Sequence, residues 1–246
     1  MPRIFTLITE SRSFLKKQPV LYAVTLWLLF VPIFSSHELT RYLSYLHKSA
    51  PTKVTESIVT SLASLVSIVL LFWGITSVLT IGKRLLAAKA GRSRTSLSAV
   101  CKESKALIIP LLLTSILRSI ITLLWAILFI VPGLIYGLRT SLVSVVIAEE
   151  GIAYNEALKK SINLVRGHTW EFCRKILGLV LMLFAPISIL SAILRAANNS
   201  LPWMIIVDAI ASLLLAFSLT ILLLSLIQMY DYLRPQKGPI MGGGRK

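Results

Sequence analysis

The chain has 246 residues, 56% of them hydrophobic and only 15% charged, with a net charge of +16. Soluble domains carry about 25% charged residues, so this composition argues against an ordinary soluble enzyme or binding domain. The mean hydropathy of +0.80 comes from apolar blocks rather than a diffuse excess, and about 20 apolar residues span a bilayer core.

Arg3, Arg12, Lys16 and Lys17 precede the first apolar run, as in a signal peptide. That run passes from Val20 to Phe34 into Ser35-Ser36-His37 without a small-residue cleavage pattern, and further spans follow. It therefore reads as an uncleaved span at about 19–36. Five more apolar segments follow at about 57–82, 106–131, 134–148, 176–194 and 203–230. The third is longer than the roughly 30 Å hydrocarbon core and the fourth shorter, with the turn between them placed at Pro132-Gly133. The predicted fold is all-α: one membrane domain over 1–233, a polytopic helical bundle of about six spans. Residues 234–246, with Pro235, Pro239 and Gly242-Gly243-Gly244, read as a disordered cytoplasmic tail.

The basic residues sort by side. Twenty of the 26 fall before span one, between spans two and three, between spans four and five, or in the tail. Only Arg41, Lys48, Lys53 and Arg195 fall on the opposite side, and Arg118 and Arg139 lie within spans. This asymmetry predicts both termini in the cytoplasm and a protein of the inner or plasma membrane. Topology thus accounts for the positive charge without nucleic acid as a partner, and no recognition motif accompanies it. The expected partners are the bilayer and anionic headgroups of the cytoplasmic leaflet. Cys101 and Cys173 both fall on the reducing side and do not suggest a disulfide framework.

A weak repeat runs through the chain. Spans one, three and five are each preceded by a helical polar–apolar stretch, at Ile4–Lys17, Ser96–Lys105 and Tyr154–Arg166, and each carries an outer proline, at Pro32, Pro132 and Pro186. The pattern suggests three hairpins, each entered through an interfacial amphipathic helix. The third stretch is the best defined. Tyr154, Leu158, Ile162 and Val165 recur at helical spacing, Lys159, Lys160 and Arg166 occupy the other face, and Gly167 follows as a C-terminal cap.

The run Ile130-Val131-Pro132-Gly133-Leu134-Ile135-Tyr136 is followed by Arg139, Ser141-Leu142-Val143 and Ala148-Glu149-Glu150. Ala157-Leu158-Lys159-Lys160-Ser161, Leu164-Val165-Arg166-Gly167 and Trp170 complete the stretch. It resembles the membrane domain found in glycerophosphoryl diester phosphodiesterases and in related bacterial membrane proteins of unknown function. The resemblance implies a bacterial inner-membrane helical bundle. It does not imply phosphodiesterase activity, which in that family belongs to a separate soluble barrel.

No phosphate-binding glycine loop, nucleophile elbow or zinc-protease helix is present, so no catalytic residue, metal site or cofactor is expected. His168 and Glu171 lie three apart, too few ligands for a metal. The sharper features are the intramembrane charges Arg118, Arg139 and Asp208. A charge inside a span costs about 2.5–3.5 kcal/mol on insertion scales and is normally partnered. Comparable depth makes Asp208–Arg139 the first expected pair and Asp208–Arg118 the second. Glu149 and Glu150 read as markers of the cytoplasmic boundary. Two functions remain open at this point: a structural or partner- and lipid-interacting protein without catalysis, and a transporter, channel or lipid-handling protein with a polar site around the three charges.

Overall fold

The computed structural model describes residues 3–46, 53–87, 96–198 and 200–234, and among these every regular element is a helix. The tail from 235 onward, expected to be disordered, lies outside the described residues. Six segments are long and apolar enough to cross a membrane: Pro19–Ser36, Thr60–Leu86, Leu97–Leu128, Ile130–Glu150, Thr169–Ala197 and Leu201–Leu233. These spans mark a multi-pass membrane protein.

Helix α1 (Ile4–Lys17) is amphipathic, and Leu7, Ser11 and Leu15 bury one stripe at four-residue spacing. The first span then opens with α2 (Pro19–Val24), whose Pro19 occupies a first-turn position that needs no N–H donor. It continues through a π-helical segment, Thr25–Phe30, into α3 (Val31–Leu46). The widened turn has a local cause, because Pro32 has no N–H to offer the carbonyl four residues back. At the same place α4 (Lys53–Ala87) approaches closely through Gly74, where a Cβ would lie 2.8 Å from the Leu28 carbonyl oxygen.

Span three is α5 (Leu97–Leu128), and span four is split into α6 (Ile130–Arg139) and α7 (Val143–Glu150). Helix α8 (Tyr154–Val165) lies between spans four and five. The last two spans are α9 (Thr169–Ala197) and α10 (Leu201–Leu233).

Helix α10 is the hub. Of its most apolar window 56% is buried, against 11% for α5 and for α9, and it touches α1, α3, α4, α7, α8, α9 and the π-helical segment. An apolar residue on every side suits a helix with neighbours on every side. Its grip is also polar. Ser11 and Ser225 hydroxyls are 3.1 Å apart, Gln228 Nε2 donates to Ser11 at 3.3 Å, and Thr25 and Thr220 hydroxyls are 2.9 Å apart. Small hydroxylated residues let helices approach and hydrogen-bond where lipid offers no competing water. The outer helices instead present apolar side chains to their surroundings, as at Ile127 and Ile130, the latter 80% exposed.

Three sequence expectations change. The turn between spans three and four is at Phe129 (φ −153°, ψ 116°), not at Pro132-Gly133. Pro132 sits in the first turn of α6, where proline is tolerated. Gly133 serves packing instead, since a Cβ there would be 2.6 Å from the Ala126 backbone nitrogen of α5. Second, the stretch expected as an interfacial helix at Ser96–Lys105 is the continuous start of α5, with Val100 and Ser104 buried in the same register as Leu111 and Thr114. Third, the apolar face of α8 is covered by protein rather than offered to the interface. Leu158 and Val165 are buried and Ile162 is half-buried, while Tyr154, Lys159, Lys160 and Arg166 remain exposed.

Candidate functional site

The break in span four is built by hydroxyls. Thr140, which caps α6, sends its Oγ1 back to the Tyr136 carbonyl at 2.9 Å, and Ser141 Oγ does the same to Leu138 at 2.8 Å. Such local bonds offer the backbone an alternative to a continuous helix. They leave the last carbonyls of α6 in need of donors away from bulk water.

Arg118 supplies two bonds here. From the middle of α5 its Nη2 donates to the Gly137 carbonyl at 2.8 Å, and its Nε donates to Thr140 Oγ1 at 2.9 Å. Ser161 of α8 donates to the Arg139 carbonyl at 2.8 Å. One turn before Arg118, Thr114 Oγ1 accepts the Tyr154 backbone N–H at 2.9 Å, which anchors the start of α8. Among the described residues Arg118 meets no carboxylate. Its charge faces the negative end of the α6 dipole instead. Arg139 contributes its carbonyl to this network, while its own Nε is buried without a hydrogen-bond partner among the described residues.

Span four ends on a second cation. Lys83 Nζ of α4 donates to the Ala148 and Glu149 carbonyls, each at 2.9 Å, at the C-terminus of α7. Gly151 (φ +72°) then turns the chain. Glu150, expected only to mark a boundary, joins three helices. It accepts from the buried Tyr230 hydroxyl at 2.7 Å and lies 3.6 Å from Lys160 Nζ.

Asp208 is elsewhere. It is 1% exposed near the start of α10, clasped by Arg41 of α3 and Arg195 of α9, with Arg195 Nε at 2.9 Å. Arg41 also pairs with Glu38 at 2.9 Å. The expected pairs Asp208–Arg139 and Asp208–Arg118 are therefore not formed. Helices α3 and α9 extend farther than the apolar runs suggested, which carries Arg41 and Arg195 to Asp208, whereas Arg118 is committed to α6. Trp203 Nε1 donates to the Leu194 carbonyl at 2.7 Å and closes the same α9–α10 hairpin.

Thus Arg118 and Arg139 share the helix break, and Asp208 forms a separate cluster. Lys83, Tyr230, Arg41 and Arg195 were absent from the sequence-derived set. The one usable signal, and for Arg195 alone, was its charge opposite to that of Asp208, 13 residues away across a short turn. No protein-family description, curated protein or solved structure matches the chain.

Proposed function

We propose that this chain is a non-catalytic protein of a bacterial inner membrane that works by holding a fixed helical framework for a partner or for lipid. The observation that carries the reading is the bonding of Arg118, whose Nε and Nη2 both serve the C-terminal end of α6. A cation spent on closing a helix break is structural. The double clasp on Asp208 supports the same reading, because it ties α3, α9 and α10 together. The charge asymmetry supports cytoplasmic placement of the basic loops and of both chain ends, and the resemblance over Ile130–Trp170 supports a bacterial membrane bundle.

The test is to replace Arg118 with Gln and compare two readouts, monodisperse yield in detergent and growth of a strain carrying the variant as its sole copy. The framework reading expects reduced yield, with any growth defect in proportion. Normal yield with lost growth would overturn it. A reporter active only in the cytoplasm, fused after Arg234, tests the orientation separately.

A second reading, a transporter, channel or lipid-handling protein, is favoured by one observation. Broken spans line substrate sites in transporters, and the break here holds the buried, unpartnered Arg139 Nε. In a chain with Cys101 and Cys173 replaced by Ser, a cysteine at Arg139 that reacts with a membrane-impermeant thiol reagent would favour it. Full protection would favour the framework.

A further inference from the structure

We infer that a pocket at the α8 end of the bundle is a phosphate-binding site, suited to the headgroup of an anionic phospholipid or to free phosphate. It is a cavity of about 660 Å³ between α8, the connection to α9 and the end of α10. Lys160, Asn163, Arg166, His168 and Tyr232 line it, with Leu233 beside them. This inference rests on the reading that the α8 end faces the anionic leaflet.

The local sequence explains why these groups converge. Lys160 and Asn163 are three residues apart on the polar face of α8. The helix ends at Val165, and Gly167 at φ +91° reverses the chain so that His168 returns as the N-cap of α9. Tyr232 and Leu233 come from the last turn of α10. A cationic rim and neutral donors over an apolar wall match a phosphate attached to a hydrocarbon-bearing group. Arginine recognises phosphate with a planar fork of donors, and lysine does so as a point charge.

Two features separate this pocket from a generally basic surface. Arg166 combines a charge with no ion-pair partner among the described residues with a place in the cavity wall, whereas Lys83 is spent on carbonyls, Arg84 on Glu103, and Lys102 and Arg174 lie outside the cavity. Lys160 is only loosely held, at 3.6 Å from Glu150. The pocket also adjoins an exposed aromatic at the head of a span. Trp170, two residues past His168, is 82% exposed at the start of the apolar α9, as an interfacial anchor would be. Basic pockets between membrane helices are a recurrent form of headgroup site.

The experiment compares the full chain and its variants in phosphatidylcholine nanodiscs doped with phosphatidylglycerol, reading the phosphatidylglycerol retained after transfer to detergent. The same samples are titrated with inorganic phosphate in detergent. Arg166→Gln and Lys160→Gln should each lower binding by about tenfold, the worth of one charge-assisted contact. Lys102→Gln with Arg174→Gln, exposed cations that do not line the cavity, should leave it unchanged. Retained lipid that phosphate does not displace assigns the site to headgroups. Phosphate binding without lipid retention assigns it to a soluble ligand, and either outcome supports a phosphate site. Equal losses in pocket and control variants would overturn the pocket and leave the basic leaflet-facing surface standing. Neither ligand binding to the unaltered chain would overturn the pocket as well, while the reporter fusion alone decides the orientation.

Discussion

Arg118 reaches from the middle of α5 to the Gly137 carbonyl of α6, 2.8 Å from Nη2 to oxygen, and so places a guanidinium where the α6 helix ends inside the bundle. The two residues are 19 apart in sequence.

Replacing Arg118 with Met removes donors from Gly137 and Thr140 together. Among the described residues, the Gly137 carbonyl then keeps only the Thr140 hydroxyl at 3.2 Å. Loss of a hydrogen bond from a charged donor costs about 1.5–3 kcal/mol, so the variant should melt several degrees lower in detergent. Arg118→Lys should fall between the two, because an ammonium on a shorter reach cannot reproduce both ends of the planar fork. Melting curves of the three proteins, taken in one detergent, check the order.

Asp208→Asn should destabilise the bundle more than Arg195→Gln. The first change removes the buried acid that both cations share and leaves Arg41 with Glu38, while the second leaves Asp208 still paired with Arg41. Arg195 is 43% exposed and can turn to water, which keeps its share near the surface-pair value of about 0–1 kcal/mol. The double variant should recover part of the Asp208→Asn loss. Strict additivity in a double-mutant cycle would show that the pair is not coupled.

Gly133 and Gly137 lie one turn apart on α6 and should respond differently to alanine. A Cβ at Gly133 would fall within 2.6 Å of the Ala126 backbone, whereas at Gly137 the nearest atom is the Thr122 Cγ2 at 3.4 Å. Gly133→Ala must push α5 and α6 apart, at about 1–3 kcal/mol for overpacking. Gly137→Ala should be near neutral. Cross-linking of cysteines placed on the two helices would register the separation.

Tyr154 opens α8 with φ +56°, a left-handed conformation that costs a non-glycine residue about 1–2 kcal/mol. Its N–H is held there by Thr114. Tyr154→Asn should therefore be more stable than Tyr154→Val, since Asn tolerates this region and a β-branched side chain does not. The reverse order in thermal melts would remove backbone strain from the account.

The spans were legible because crossing a bilayer is a matter of composition and length. Helices α1 and α8 were legible because their apolar residues recur at helical spacing. The charge partners were not. Arg118 and Lys83 bond to backbone carbonyls, and every residue carries a carbonyl, so nothing in the sequence singles out Gly137, Ala148 or Glu149. Asp208 and Arg41 are 167 residues apart and meet only through the order in which helices surround α10. The break in span four did leave a trace, since Thr140-Ser141 inside an apolar run is a pair that bonds back on its own helix. Hydropathy alone passes over it.

The central position of α10 has a consequence for biosynthesis. It is the sixth span to leave the ribosome. Spans one, two, four and five all pack on it, so before its insertion they lack the neighbour they share. Until it inserts, Ser11 and Thr25 lack their partners, and Arg41 and Arg195 have no Asp208 between them. A chain halted before Leu201 would expose these groups to lipid and to the proteases that survey the membrane. Insertion of α10 is therefore the step that gives four other spans one helix in common.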